Sequence, residues 1–116
     1  MIDISFILIE LMNTVLSQRK SSFANFVLSD IDILNIEYTH YGYYITFKFL
    51  KKINIDIKDI KTEYLIKMND KVSGFVLFKE NDIFTIEFYP IDGEELPERI
   101  YSYNIIKKQD LEQLLF

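Results

Sequence analysis

His40 is the only histidine in the chain, and there is no cysteine. Disulfides and thiolate metal sites are therefore excluded, and no paired-histidine zinc spacing exists. Three glycines spread over the sequence make no phosphate-cradling loop, and no G-x-S-x-G elbow is present. What remains for chemistry is 18 carboxylates and 8 tyrosines. Two carboxylates about 5–10 Å apart can run glycoside hydrolysis, but among so many acids such pairs arise by chance, and no pair stands out. Glu87 lies in the apolar run Phe84-Thr85-Ile86-Glu87-Phe88-Tyr89, where burial would raise its pKa. Strand alternation equally points it outward on a polar face. His40, beside Tyr38, Tyr41, Tyr43 and Tyr44, reads either as a general base with tyrosine donors or as a turn histidine in an aromatic hairpin. No residue is assigned a catalytic, metal or cofactor role.

Two features suit protein binding instead. The tyrosines around Tyr41 and Tyr43 exceed what one strand face buries, and exposed tyrosine gives large contact area at low entropy cost. The alternative is that they cover the end of a sheet. In strand alternation Tyr41 and Tyr43 are expected on one side, Tyr38 and Tyr44 on the other. The second feature is the segment Asp92–Glu98, with four carboxylates in seven residues: Asp92, Glu94, Glu95 and Glu98. Charges at that density stay in water unless paired. They form a negative patch that steers a basic partner, or simply a solvated loop. Asp92, Glu94, Glu95, Glu98, Tyr41, Tyr43 and Glu87 are the candidate partner-binding residues.

These residues need elements to position them. Asp3 is placed to cap a helix whose apolar stripe runs Ile4, Leu8, Leu11, Met12 and Val15. Phe6, Ile7 and Ile9 widen the stripe, so burial over most of the circumference is expected. A short helix is expected over Ser21–Ser29. From Asp32 the period becomes two: Leu34, Ile36 and Tyr38 alternate with Ile33, Asn35 and Glu37, a turn follows at Thr39–Gly42, and Tyr43, Ile45, Phe47 and Phe49 continue the alternation as a hairpin. Ile53, Ile55 and Ile57 predict another strand. Asp59–Met68 reads as strand or helix, with a turn at Asn69–Asp70. Val72–Phe78 and Ile83–Tyr89 flank a turn at Lys79–Asp82, Ile100–Ile106 is a last strand, and Asp110–Phe116 is a tail. Helix first and hairpin-ordered strands after it predict an α+β domain spanning 1–116: the N-terminal helix packed on an antiparallel sheet of five to six strands.

Length and composition agree. A chain of 116 residues, 49% hydrophobic and 16% aromatic, can bury a core of its own. Its formal charge of −5 argues against direct nucleic-acid binding, which wants a basic face, and permits a basic protein partner. The apolar start, Met1–Leu16, has Asp3 where a signal peptide carries positive charge and is interrupted by Glu10. It is too short to span a bilayer. A cytoplasmic protein with no membrane contact is expected.

The block Ser73-Gly74-Phe75-Val76-Leu77-Phe78-Lys79-Glu80-Asn81-Asp82-Ile83-Phe84-Thr85-Ile86-Glu87-Phe88-Tyr89, followed by Asp92-Gly93-Glu94-Glu95-Leu96-Pro97, resembles immunity proteins encoded beside polymorphic toxins in bacteria, including those of contact-dependent growth inhibition systems. Tyr41-Gly42-Tyr43-Tyr44-Ile45-Thr46-Phe47-Lys48-Phe49 resembles the hairpin that precedes this block in such proteins. Asp82 stands where a turn glycine is common, and Ile86 where leucine is common. The resemblance covers about half the chain. It implies a non-enzymatic cytosolic inhibitor that binds one cognate toxin domain; many such toxins are basic nucleases, which an acidic inhibitor complements. Two other readings stand beside it. One is a homo-oligomeric structural or interaction protein, with the chain a monomer or weak homodimer otherwise. The other is a small-ligand-binding module built on a curved sheet.

Overall fold

The computed structural model describes residues 1–17, 28–50 and 63–110. Asp3 caps the helix as expected: its Oδ1 accepts the Ser5 amide at 2.9 Å and the Ser5 hydroxyl at 2.8 Å, which satisfies a first-turn donor that has no partner within the helix. Helix α1 then runs Ile4–Ser17. Ile4, Ile7, Leu8, Leu11, Met12 and Val15 are buried in the core. Phe6 departs from the expected wide burial and is 55% exposed. At about 100° per residue it sits roughly 200° around the helix from Ile4, on the same outer side as Glu10. No helix among the described residues is long and apolar enough to cross a membrane.

A single turn of 3-10 helix at Leu28–Asp30 leads into the sheet. Its strands are β1 (Ile31–Tyr38), β2 (Tyr43–Phe49), β3 (Tyr64–Met68), β4 (Lys71–Glu80), β5 (Ile83–Pro90) and β6 (Tyr103–Lys107). They lie in the order β1-β2-β5-β4-β3-β6, with every neighbouring pair antiparallel. Among the described residues the fold is α+β, with the N-terminal helix α1 on a six-stranded antiparallel sheet. The ambiguous stretch before Asn69 is strand from Tyr64. The last strand starts at Tyr103 rather than Ile100, which instead pairs with Ile2 in an isolated bridge. The strand expected over Ile53–Ile57, most of the helix expected over Ser21–Ser29 and most of the C-terminal tail lie outside the described residues.

Register decides which face the helix covers. Tyr43, Ile45 and Phe47 on β2 stand opposite Phe88, Ile86 and Phe84 on β5, and Phe75 and Leu77 on β4 continue the rows. Tyr64, Ile66 and Met68 complete the same face. All of these pack in one core cluster with the helix residues. Phe47 and Phe84 stack with centroids 5.5 Å apart, and Phe49 meets both edge-on, an arrangement that follows from the positive edge and negative face of each ring.

Strand β1 corrects the strict alternation read from its sequence. Ile33 pairs with Phe47, but Asn35 pairs with Thr46, so Leu34 is an extra residue at a bulge. The bulge resets the phase: Ile31 and Ile33 share the inner face with Ile36 and Tyr38. A run apolar at 33, 34 and 36 supports either phase, and the pairing with β2 decides between them.

The opposite face of the sheet is mixed. Glu37, Tyr44, Glu87 and Val76 form one row across β1, β2, β5 and β4. The Tyr89 ring lies directly over Gly74, where an added Cβ would come within 2.8 Å of three of its atoms. Any larger residue at 74 displaces that ring.

Candidate functional site

Residues 91–102 join β5 to β6 without regular secondary structure, yet their backbone is tied down along its length. Ile91 donates its amide to the Val72 carbonyl at 3.2 Å. Asp92 Oδ1 accepts the Glu94 amide at 3.0 Å, the short side-chain turn that Asp favours. Leu96, 1% exposed, inserts into the core, and its amide donates to the Tyr41 carbonyl at 2.8 Å. The Tyr38 hydroxyl donates to the Leu96 carbonyl at 2.8 Å. The Tyr43 hydroxyl lies 2.5 Å from the Pro97 carbonyl and 3.0 Å from that of Glu98. Ile100, also buried, bridges to Ile2 at the start of the helix. Asn69, at φ 56° in the β3–β4 turn, finishes the anchoring. Its Nδ2 donates to the Arg99 carbonyl at 2.9 Å, and its Oδ1 accepts the amides of Tyr101 and Ser102.

The tie-down requires close approach at the β1–β2 turn. A Cβ at Gly42 would fall 1.9 Å from the Phe88 carbonyl oxygen of β5, so only glycine fits there, and Leu96 Cδ1 packs against the same turn, 3.4 Å from that position. His40 takes φ 70° in this turn and meets the Tyr38 ring edge-on at 5.4 Å. It is a turn residue beside an aromatic.

The predicted site residues fall into three groups. Asp92, Glu94, Glu95 and Glu98 are all exposed on the loop. Glu94 is ion-paired with Lys71, and that hydrogen bond holds the lysine ammonium above its usual pKa. Glu98 borders a cleft of about 330 Å³ with Asp3, Tyr43 and Ile100 at the helix start. Tyr41, 63% exposed, stands at the same end of the sheet. Tyr43 does not belong with it: the side chain is 4% exposed and contacts Tyr38 at 5.1 Å on the inner face. The expected pairing of Tyr41 with Tyr43 and of Tyr38 with Tyr44 is therefore corrected. The turn between the strands puts Tyr38 opposite Tyr43 and turns Tyr44 outward. Tyr43 is a strut beneath the loop rather than a contact residue. Burial, then Tyr38 and Glu98, push its hydroxyl up to about 12; burial, then Glu95 and Glu98, raise that of Tyr38. Both hydroxyls stay protonated donors to the loop carbonyls at neutral pH.

Glu87 is apart from the loop. It lies half-buried at mid-strand on the outer face, beside Tyr44 in the cross-strand row. The Tyr44 hydroxyl hydrogen-bonds to it, which raises the tyrosine's pKa. The outward orientation that alternation allowed is the one observed.

No known protein family, curated protein or solved structure matches this chain. What the end of the sheet can do is therefore judged from its own geometry. Among the described residues no three carboxylate or imidazole side chains converge as metal ligands. The loop offers four carboxylates on a fixed backbone, flanked by Tyr41 and by Tyr101, which is 65% exposed. Sequence reading missed Tyr101, because it sat in what looked like a strand. It also missed Leu96 and Asn69, the residues that fix the loop. The one available signal was a lone leucine followed by proline inside an acidic stretch.

Proposed function

We propose that this chain is a non-enzymatic, protein-binding inhibitor of the immunity type, which neutralises a cognate bacterial toxin domain in the cytoplasm and contacts it through the acidic end of the sheet. The observation that carries the reading is the pinned loop. Tyr38, Tyr43 and Asn69 hold the carbonyls of Leu96, Pro97, Glu98 and Arg99, so the carboxylates are presented on a backbone that is already ordered. Little conformational entropy is left to lose on binding, and preorganisation of this kind raises affinity. The clustered negative charge accelerates encounter with a basic partner. Exposed Tyr41 and Tyr101 flank it and are of the residue type that dominates interface energetics. A basic nuclease domain is a partner of suitable charge.

The test is a pull-down from the native source with the tagged full chain, read by mass spectrometry. The expected result is one toxin domain at one-to-one stoichiometry, lost when Glu94, Glu95 and Glu98 are all changed to lysine in a variant whose circular dichroism is unchanged. Recovery of the toxin by that variant would retain the inhibitor and move its interface elsewhere. Recovery of the bait alone, from cells expressing the neighbouring genes, would overturn the proposal. A second reading, self-association, is favoured by one observation: Val76, Phe78, Ile83 and Tyr89 are exposed on the outer face. Sedimentation velocity over a hundredfold concentration range separates the two readings.

A further inference from the structure

We propose that Asp92–Gly93 is a self-modification site: the Gly93 nitrogen closes on the Asp92 carboxyl, and the folded loop converts this residue to isoaspartate. The sequence isolates the position. Of the chain's aspartates and asparagines only Asp92 precedes a glycine, and most of the other aspartates precede isoleucine. A branched side chain on the following residue crowds its backbone nitrogen, whereas glycine leaves that nitrogen open. The structure adds three observations. Asp92 and Gly93 are exposed, and a Cβ built on Gly93 would meet nothing within 4 Å. The Gly93 amide has no acceptor among the described residues, so no hydrogen bond has to break before its nitrogen reacts. The Asp92 side chain folds forward, with Oδ1 accepting the Glu94 amide at 3.0 Å. That bond closes a ring with the Gly93 nitrogen among its members, which brings the carboxyl to the side of the nucleophile. Groups already held together react without a further loss of freedom.

The chemistry is an internal condensation followed by a hydrolysis. The Gly93 nitrogen gives up its proton and bonds to Asp92 Cγ. The C–OH bond of the protonated carboxyl breaks, and its oxygen leaves with that proton as water. A five-membered succinimide remains. Water then opens the ring at one of its two carbonyls. Opening at Cγ restores aspartate. Opening at the main-chain carbonyl leaves isoaspartate, with the chain now running through Cβ and Cγ. One water leaves and one enters, and nothing is oxidised or reduced. The Glu94 amide points at Oδ1, where negative charge gathers as the nitrogen adds, and a fixed donor there stabilises that charge. The product lengthens the main chain by one carbon between the anchors at Ile91 and Leu96. It also places the charge of residue 92 directly on Cα. This proposal does not depend on what the acidic loop binds.

The test is to age the full chain in mildly acidic buffer made with heavy-oxygen water and to read its peptides by mass spectrometry. Each passage through the ring inserts one solvent oxygen at residue 92, whichever product forms. Label at Asp92 is expected on the order of tenfold above that at Asp70 and Asp82, exposed turn aspartates followed by bulkier residues. An isoaspartyl methyltransferase supplied with labelled S-adenosylmethionine should accept the aged chain and ignore the fresh one. Asp92→Glu keeps the charge but needs a six-membered ring, and should remove both signals. Ageing in guanidinium chloride separates the loop from the dipeptide: the folded chain should label residue 92 at least as fast as the unfolded one. No excess label at Asp92, label without methyl acceptance, or a several-fold faster reaction in the unfolded chain would each overturn the proposal.

Discussion

At one end of the sheet the β4–β5 hairpin turns through two residues, Asn81 and Asp82, held by the ladder on either side of them. At the other end the loop 91–102 has no ladder and is held by residues 54 to 58 positions away, Tyr38 and Tyr43, and by Asn69 some 30 away. The tip is local in sequence and its side chains are exposed. The loop is non-local and keeps Leu96 and Ile100 in the core. A loop of acids can thus be as fixed as a strand when its few apolar residues are buried and its carbonyls are taken up by side chains from elsewhere. The two ends should respond differently to substitution.

The largest effect is expected from Leu96→Ala. The side chain is buried against the hairpin turn, with its Cδ1 at the Gly42 position. Truncating such a residue costs about 2–5 kcal/mol, which urea unfolding would read as a lower midpoint with unchanged slope. The loop should also loosen, with faster amide exchange at residues 94–99 in the native state. A loss below about 1 kcal/mol would mean that the loop is not part of the core.

Tyr43→Phe should come next. It leaves the Pro97 and Glu98 carbonyls without the one hydroxyl proton they share, in a part-buried setting, at a cost of about 1–2 kcal/mol. The same hydroxyl supplies a pH test. Its folded pKa, about 12, lies above the unfolded value near 10. The unfolded chain therefore loses this proton first, and the stability it contributes is complete below pH 10 and is lost as pH rises toward 12. Tyr103 behaves alike: burial first, then its hydrogen bond to Glu10, raise it to about 12. Urea midpoints measured from pH 9 to 12 should fall in the native chain and fall less steeply in Tyr43→Phe. Equal slopes in the two would remove Tyr43 from the account.

Much of this architecture is readable from residue pattern, because periodicity reports burial directly. The Asp3 cap and the α1 stripe are where residue pattern placed them, and both expected hairpins form, although the β4–β5 turn is Asn81–Asp82 rather than Lys79–Asp82 and β1 changes phase at its bulge. Phase is harder to read. Ile33, Leu34 and Ile36 fit either face of β1 until a bulge opposite β2 chooses, and Tyr41 and Tyr43 look alike until the turn exposes one and buries the other. The candidate site was legible as charge and illegible as structure. Four carboxylates mark the loop, while what fixes it depends on contacts across more than 50 residues, which no local pattern carries.

The smallest effects give the sharpest form of the comparison. Asn69 and Asn81 adopt nearly the same strained backbone, φ 56° and 57°, each in a two-residue turn between strands. Glycine takes this conformation without steric cost, so Asn→Gly brings the same backbone gain at both sites, together with the same loss from a freer unfolded chain. What differs is the side chain. At Asn81 it sits exposed at the tip, and Asn81→Gly should leave stability within about 0.5 kcal/mol of the native chain. At Asn69 it donates to the Arg99 carbonyl and accepts two amides. These bonds are solvent-accessible, so losing them should cost about 1 kcal/mol rather than the full value of three buried ones. Subtracting one denaturation result from the other cancels the backbone and isolates the clamp. A difference of zero would mean that the loop is held from the Tyr38 and Tyr43 side alone. A difference approaching 3 kcal/mol would mean that the clamp is drier than its exposure suggests, and would make Asn69 as important to the loop as Leu96.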